Sequence, residues 1–134
     1  MVIRYATPQD TIRIIRAIQN KRMDYNTPAD VRADVEAGQL LVAEENGKLL
    51  GSVAVFYKPH RGYHAITRMC VYSKRSAGKG VASALIDYIL SLGYETLGAT
   101  PWTENAAMCH IFEERGFVYQ YTFKKNYRFY KKSA

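Results

Sequence analysis

Cysteine is scarce in this chain of 134 residues, which contains only Cys70 and Cys109. Two cysteines are too few for the disulfide framework that stabilises many small secreted domains. The longest apolar stretches are far shorter than the roughly 20 residues that span a bilayer. The first ten residues contain no apolar segment typical of a secretion signal. These absences argue against a secreted or membrane protein and predict a cytoplasmic one with no membrane partner.

Acidic side chains are missing from the last eleven residues, KKNYRFYKKSA, which contain five cations. The formal net charge of the whole chain is +7, so this segment carries most of the excess and the rest is mildly basic. A basic edge strand explains the pattern without a ligand, because lysines on an edge discourage aggregation between sheets. The alternative is a nucleic-acid-binding surface, in which the cations contact phosphates and Tyr127, Phe129 and Tyr130 stack on bases.

Internal repeats, low-complexity segments and flexible linkers are also absent. With 48% hydrophobic and 23% charged residues, the composition is that of a globular chain. We therefore expect a single domain over residues 1–134, which is long enough to bury one hydrophobic core.

Two short segments, TPQD and TPAD, are typical of helix N-termini. In each segment threonine suits the cap, proline suits the first helical position, and aspartate suits the positive end of the helix. Ile12, Ile15 and Ile18 follow the first segment at helical spacing, and Val31 and Val35 follow the second. The sequence thus predicts two short helices after the first strand.

Alternating apolar residues predict strands in the next part of the chain. Asn46-Gly47 lies between two apolar runs and is typical of a tight β-hairpin. The whole pattern predicts a mixed α/β sheet with helices on its faces, in the order β-α-α-β-β-β-α-β-α-β-β. In the fourth strand, YHAITRMCVY, strict alternation places Ile66, Arg68, Cys70 and Tyr72 on one face and Thr67, Met69 and Val71 on the other.

A basic, glycine-rich loop, KRSAGKG, leads into the next helix. Helix N-termini have unpaired backbone N–H groups and a partial positive charge, and glycine lets a ligand approach the backbone. The loop therefore suits a phosphate or pyrophosphate, although a plain strand-to-helix turn could contain the same residues. It matches neither the Walker pattern nor the dinucleotide-binding fingerprint. The buried stripe of the helix is expected at Val81, Leu85, Tyr88 or Ile89, and Leu92.

This loop resembles the acetyl-coenzyme A loop of the GCN5-related N-acetyltransferase (GNAT) superfamily, whose pattern is Q/R-x-x-G-x-G/A. RSAGKG matches the pattern literally, and AGKGVA matches it in a second register, with Ala77 in place of the usual arginine or glutamine. Both registers place the same helix start against the pyrophosphate of the cofactor. The resemblance implies cofactor-binding roles for Arg75, Ser76, Ala77, Gly78, Lys79, Gly80, Val81 and Ala82.

A second segment, NAAMCHIFEERGF, resembles the fourth helix of the same superfamily, with Asn105, Phe112, Glu113, Gly116 and Phe117 in matching places. The order of elements also matches from end to end. The resemblance implies an α/β (α+β) fold with a mixed, mostly antiparallel sheet of about seven strands, flanked by four helices. It also implies an N-acetyltransferase with acetyl-CoA as co-substrate and no metal.

The resemblance implies how the acetyl group is held. In the superfamily the fourth and fifth strands separate and the pantetheine arm lies between them, so that the backbone of Met69, Cys70 and Val71 would pair with it. A backbone N–H there would polarise the thioester carbonyl. Asn105 and Phe112 would contact the cofactor, and an amine would attack the thioester directly.

Phe112 stands where many members have a tyrosine that protonates the leaving thiolate. Either the thiolate leaves unaided or another group serves, and Cys109, one turn earlier, is a candidate acid; it is otherwise a small buried residue. Histidine is a common base near neutral pH, so His64 is a candidate base for the amine; it is otherwise an ordinary surface histidine. Trp102 is expected either in the wall of the acceptor pocket or in the core.

The residues leave the acceptor open: a protein amine, a small amino compound or a drug would fit, whereas polyamines fit a basic chain poorly. Either a monomer or a homodimer is compatible with the sequence. Two alternatives to an acetyltransferase are the nucleic-acid-binding module described above and a CoA-binding sensor without turnover. The sensor hypothesis is motivated by phenylalanine at position 112.

Overall fold

The computed structural model describes residues 1–19, 27–77 and 79–134. Of Ala77 it describes the backbone alone. Its strands are β1 (Val2–Tyr5), β2 (Leu40–Glu45), β3 (Lys48–Lys58), β4 (Tyr63–Val71), β5 (Thr96–Ala99), β6 (Val118–Phe123) and β7 (Tyr127–Ser133). Its helices are α1 (Thr11–Ile18), which follows a 3-10 turn at Pro8–Asp10, α2 (Pro28–Glu36), α3 (Lys74–Ala77), α4 (Val81–Ser91) and α5 (Ala106–Glu114). None of the helices in these ranges has the length and apolar character needed to cross a membrane.

The strands form one sheet in the order β1-β2-β3-β4-β5-β7-β6. Neighbouring strands are antiparallel except β4 and β5, which are parallel. The predicted fold class is confirmed: the sheet is mixed and mostly antiparallel, with seven strands in the described part of the chain. The four expected helices are α1, α2, α4 and α5, and α3 is an additional single turn within the glycine-rich loop.

Both threonine-proline segments begin helical structure as predicted. Thr27 Oγ1 accepts a hydrogen bond from the Asp30 amide at 3.3 Å, and the Asp30 carboxylate accepts one from the Thr27 amide at 3.2 Å. In the first segment the Asp10 carboxylate accepts hydrogen bonds from the amide of Thr7 at 2.8 Å and from its hydroxyl at 3.1 Å. These local bonds fix where each helical segment starts.

A hydrophobic cluster packs on each face of the sheet, the larger one under α4 and α5 and the smaller one under α1 and α2. From α1, Ile14 is fully buried, with Ile15 and Ile18 partly buried beside it. Ile12, which the spacing placed in the stripe, is 59% exposed. The buried residues of α4 are Val81, Leu85, Ile86 and Ile89, whereas the expected Leu92 lies past the end of the helix and is exposed.

A β-bulge interrupts β4. Ser52 on β3 lies opposite Cys70, and Ala54 lies opposite Thr67. Between these pairs β3 has one residue and β4 has two, Arg68 and Met69, so β4 contains an extra residue at this point. Arg68 has a φ of +56°.

The bulge corrects the alternation predicted for β4. Ile66 packs in the larger hydrophobic cluster together with Met69 and Val71, which were expected on the opposite face. Tyr72 packs against the smaller cluster. The prediction was wrong because one extra residue reverses the faces of all residues that follow it.

β4 and β5 pair over only three residues each, from His64 opposite Leu97 to Ile66 opposite Ala99. β4 continues to Val71, whereas β5 ends at Ala99. Within the described residues, β4 has no strand partner on its β5 side beyond Ile66, although β3 still pairs with its other side. The sheet therefore opens into a gap at the carboxyl ends of β4 and β5.

Candidate active site

The gap between β4 and β5 contains a cavity of about 140 Å³. Its walls come from β4, from the loop after β5, and from α5. Arg68 is the one charged side chain among the described residues that line it, so the cavity suits a mostly uncharged ligand segment. The lining residues are Ile66, Thr67, Arg68 and Met69, then Thr100, Pro101 and Trp102, then Asn105, Met108 and Phe112.

The α5 wall combines a polar group and an aromatic ring. Asn105 is the N-cap of α5, and its Oδ1 accepts a hydrogen bond from the Met108 amide at 3.2 Å. Phe112 is 3% exposed; its ring packs edge-to-face on Phe117, with 5.0 Å between the centroids, and stacks on Tyr130 at 6.2 Å. Both predicted side chains therefore lie on the cavity wall, held by the cap and by ring packing.

The glycine-rich loop ends at Gly80, the N-cap of α4, which has a φ of +72° and a ψ of +31°. Glycine adopts this left-handed conformation readily, whereas residues with a Cβ are strained there. Among the described residues, no side chain caps α4. The Ala84 amide donates to the Gly80 carbonyl at 3.0 Å and so begins the helical bonding. The N–H groups of Val81, Ala82 and Ser83 consequently lack intrahelical acceptors and point out of the helix start.

The side chains earlier in the loop are held by neighbours. Ser76 is buried; its amide donates to Ser73 Oγ at 3.1 Å, and the two hydroxyls are 2.9 Å apart. Lys79 Nζ lies 2.7 Å from Glu45 Oε2, and this hydrogen-bonded ion pair lowers the pKa of the Glu45 carboxyl. Arg75 is exposed and, with Ser76 and Lys79, lines a second cavity of about 240 Å³.

The side chain of Ala77 and the whole of Gly78, both predicted to bind the cofactor, cannot be placed against the site. Gly78 lies outside the described residues, and of Ala77 only the backbone is described, as the end of α3. The side chain of Val81 is fully buried, so only its backbone can face a ligand. The roles given to these residues stay predictions.

Neither candidate for proton transfer is among the described residues that line the cavity. The His64 ring packs between Tyr57 and Tyr94, with centroid distances of 5.0 and 4.3 Å. Cys109 is 3% exposed, and its Sγ donates to the Trp102 carbonyl oxygen at 3.7 Å. The structure thus does not bring the two side chains together or aim either one into the gap, and their catalytic roles stay predictions.

A buried phenol lies behind Phe112. Tyr130 is fully buried, and its hydroxyl donates to Glu113 Oε2 at 2.7 Å while accepting from Arg128 Nη1 at 3.4 Å. Burial, reinforced by the bond to Glu113, raises the pKa of Tyr130 to about 12. The phenol therefore stays protonated at neutral pH and ties β7 to α5.

The aromatic residues of the basic C-terminal segment are largely committed to packing. Phe129 and Tyr130 are buried, and the Tyr127 ring stacks on Phe123 with 5.4 Å between centroids. Buried rings cannot stack on bases. This packing removes most of the aromatic contribution that the nucleic-acid alternative requires.

A metal centre has no obvious place in the described part of the chain, where no group of three or more His, Cys, Asp or Glu side chains could hold an ion. The expectation of no metal concerns the whole protein and stays a prediction.

Sequence reasoning missed several wall residues, notably Thr67, Arg68 and Thr100. The parallel pairing of β4 and β5 is the signal that could have found them, because ligands bind beyond the carboxyl ends of parallel strands where the sheet opens. Trp102 lies on the cavity wall. The sequence had left two places possible for it, the wall of the acceptor pocket and the core.

Residues 10–117 match the model of the acetyltransferase (GNAT) family. This range includes every residue that lines the cavity, the glycine-rich loop and α5. The chain therefore belongs to the GNAT acetyltransferase family, which confirms the resemblance to that family. No curated protein matches the chain at a significant level of sequence similarity.

Solved structures support the same fold over nearly the whole chain. An N-acetyltransferase from Staphylococcus aureus Mu50 is 25% identical with a TM-score of 0.77, over 98% of this chain and 97% of its own. Ard1 from Thermoplasma volcanium is 23% identical with a TM-score of 0.82, over 99% and 97%. yncA from Salmonella typhimurium, solved with its cofactor acetyl-CoA, is 21% identical with a TM-score of 0.71, over 99% and 93%. Family membership supports acetyl transfer as the general activity.

Proposed function

We propose that this protein is an acetyl-CoA-dependent N-acetyltransferase that moves the acetyl group directly to a primary amine. The observation that carries the proposal is the position of the gap. One cavity wall is the part of β4 beyond Ile66, where no described strand pairs with it on the β5 side, and the opposite wall is α5. β4 leads directly into the loop that ends at the start of α4, which no described side chain caps. A long ligand with an uncharged arm and a pyrophosphate would meet complementary groups at both ends.

At the pyrophosphate end, α4 offers its N-terminal N–H groups and its partial positive charge. Gly80 at the cap leaves the backbone uncovered, and a Cβ there would meet nothing within 4 Å. This favours the second register of the loop motif, in which Gly80 and Ala82 are the two small residues, because both lie at the helix start. Arg75 and Lys79 add positive charge near the loop.

At the thioester end, acetyl-CoA supplies an activated acetyl group whose carbonyl oxygen gains negative charge during attack. Along β4 from Met69 to Val71, successive backbone N–H groups face alternately β3 and the gap, and the pairing with β3 fixes the strand. Such preorganised donors stabilise the developing charge without reorganising during the reaction. From the α5 wall, Asn105 gives the arm a polar contact and Phe112 gives it an apolar surface.

The described residues that line the cavity include no carboxylate, histidine, cysteine or tyrosine that could transfer a proton. Phe112 cannot donate a proton, and Cys109 and His64 face elsewhere. A CoA thiolate is a good leaving group, so it can depart without an acid. The amine must arrive neutral, and the net charge of +7 on the chain disfavours the approach of a polycation. A polyamine, which is cationic along its length, is therefore a poor acceptor.

The test is a thermal melt of the pure protein with acetyl-CoA, CoA and ATP, followed by an assay of CoA thiol release. A ligand at 100 times its dissociation constant stabilises the folded state by about 2.7 kcal/mol, so the midpoint should rise with both CoA species and not with ATP. The amine panel contains a short peptide with a free N-terminus, single amino acids and spermidine. The absence of any shift with CoA or acetyl-CoA would refute the proposal.

A CoA-binding sensor is the second candidate, favoured by the phenylalanine at position 112. It predicts the same thermal shift but no thiol release above the background with any amine. Steady release with one member of the panel would exclude the sensor.

A further inference from the structure

The backbone of Arg68 is in an uncommon conformation for a residue inside a strand. Its φ of +56° lies in the left-handed region, which disfavours residues with a Cβ. Such a conformation persists where the surroundings hold it in place. Arg68 is also the point at which the β4 bulge begins. Something in the fold must therefore stabilise this residue.

The side chain of Arg68 is held by a buried carboxylate from α2. Arg68 Nη1 donates to Asp34 Oδ2 at 2.8 Å, and the Asp34 side chain is 4% exposed. The guanidinium also lies over the Phe56 ring of β3, 5.9 Å from its centroid. The arginine is thus fixed both to α2 and to the strand beside it.

The carboxylate is itself anchored. Gln39 Nε2 donates to Asp34 Oδ1 at 2.9 Å, so both carboxylate oxygens are used. The Gln39 amide donates to the Asp34 carbonyl at 3.1 Å, and its carbonyl accepts from the Val55 amide at 2.9 Å. A chain of bonds therefore connects the end of α2, the start of β2 and the middle of β3 to the bulge.

The bulge decides which backbone groups face the gap. Arg68 and Met69 line the cavity, and the carbonyl-polarising segment proposed above begins at Met69. Because the side-chain period of a strand is two, loss of the extra residue would turn the following residues to the opposite face. Relaxation of the bulge would therefore displace the backbone N–H groups that the thioester needs.

We propose that Asp34 is a positioning residue for acetyl transfer: through Arg68 it holds the β4 bulge in the register that presents the Met69–Val71 backbone to the thioester carbonyl. Asp34 lies on α2 and acts through Arg68 without belonging to the described cavity wall. The inference rests on the proposed function, and it adds a residue that neither the loop motif nor the α5 motif contains.

The test compares Asp34→Asn with Asp10→Asn. Both change a buried carboxylate that binds arginine on the α1–α2 side of the molecule, and Asp10 is among neither the cavity-lining residues nor the partners of the bulge. The first readout is the infrared stretch of the thioester carbonyl of bound [1-13C]acetyl-CoA. Wild-type protein should lower this frequency relative to water, Asp34→Asn should move it back toward the value in water, and Asp10→Asn should leave it as in the wild type.

Kinetics give the second readout, with the amine that the acceptor panel identifies. Displacement of a reacting group by about 1 Å costs about 100-fold in rate, which is the lower end of the cost of losing an oxyanion donor. We expect kcat of Asp34→Asn to fall by about this factor, while its KM for acetyl-CoA changes less than about threefold because the pyrophosphate site is intact. Asp10→Asn should keep kcat even where its melting midpoint falls.

Two further variants keep the test valid if Asp34→Asn folds poorly. Arg68→Gly removes the ion pair but accepts the left-handed φ without strain, whereas Arg68→Ala removes the pair and keeps the strain. The proposal expects both to shift the carbonyl frequency, and Arg68→Ala to lose more kcat.

The outcomes separate the inference from the proposed function. If wild-type protein fails to bind acetyl-CoA, the proposed function is wrong, and this inference falls with it. If the wild type binds and lowers the carbonyl frequency, and Asp34→Asn or Arg68→Gly lowers it equally with an unchanged kcat, the inference alone is wrong. The inference is also wrong if Asp10→Asn loses as much kcat as Asp34→Asn when the two variants lose equal stability.

Discussion

Gly98 on β5 lies directly beneath the ring of Tyr63 on β4. A Cβ placed on Gly98 would be 2.5 Å from Tyr63 Cε2 and 3.0 Å from Phe129 Cε1. The two rings are 5.5 Å apart and cover the short stretch where β4 and β5 pair. Glycine is therefore the residue that lets the rings close over the sheet just before it opens.

Gly98→Ala should lower the free energy of unfolding by about 1–3 kcal/mol, since overpacking forces the rings or the strands apart. The measurement is chemical denaturation of Gly98→Ala, Tyr63→Ala and the double variant. In the absence of the Tyr63 ring, the alanine should cost less, so the two changes should not be additive. Strict additivity would show that the alanine acts through some other contact.

Asp10 should make stability depend on pH. Its carboxylate, 2% exposed, is 2.7 Å from Arg4 Nη1 and 2.8 Å from Arg13 Nη2. The bonds to Arg4, Thr7 and Arg13 outweigh the effect of burial and hold the pKa of Asp10 well below its usual range.

A depressed pKa means that the folded state binds this proton less readily than the unfolded chain. The stabilisation is thus fully present above the ordinary aspartate pKa of about 4 and is lost as the pH falls below it. Urea midpoints should fall more steeply over this acidic range in the wild type than in Asp10→Asn. At neutral pH the variant should be less stable by about 2 kcal/mol, typical of lost hydrogen bonds to a charged group. Parallel pH curves for the two proteins would contradict this account.

Gly80→Ala should weaken the binding of CoA, and Gly38→Ala is a matched control. Both glycines have a left-handed φ, +72° and +67°, and a Cβ at either would meet nothing within 4 Å. Each substitution should therefore cost a similar backbone strain, about 1 kcal/mol. Calorimetry with CoA should show about tenfold or greater loss of affinity for Gly80→Ala alone, because its methyl group covers the start of α4. Equal affinities in the two variants would argue against a pyrophosphate at this helix start.

Substitutions of Asn105 should separate its effect on stability, as the cap of α5, from its effect on the affinity for the ligand. Asn105→Asp keeps an oxygen that can accept from the Met108 amide, and a negative charge is favourable at a helix N-terminus. The melting midpoint should therefore be unchanged or slightly higher. The affinity for acetyl-CoA should fall by about tenfold, since the side-chain N–H donor is lost. Asn105→Ser, which keeps a capping oxygen without the charge, should lose less affinity; an unchanged affinity in Asn105→Asp would remove Asn105 from the site.

The sequence predicted the parts of the fold that depend on local chemistry. The two Thr-Pro segments begin helical structure, and Asn46-Gly47 turns with φ values of +52° and +76° as the hairpin signal requires. These features need only neighbours along the chain, so residue type alone indicates them.

The errors occurred where tertiary contacts decide the outcome. Both Ile12 and Ile14 have partners at helical spacing, and only the position of α1 on the sheet buries Ile14. In β4 the left-handed Arg68 depends on Asp34, which is distant in sequence. The cavity wall could be placed only roughly for the same reason, because its shape follows from the bulge and from where β5 stops.

The narrow pairing of β4 with β5 has a consequence for how the molecule comes apart. Three residue pairs are the backbone connection between a four-stranded unit, β1 to β4, and a three-stranded unit, β5 to β7. Local opening should therefore begin along this line, with amides of β5 exchanging before those of β2 and β3. A ligand that bonds to β4 in the gap would act as a further strand and join the two units, so that binding would change the cooperativity of unfolding as well as its midpoint.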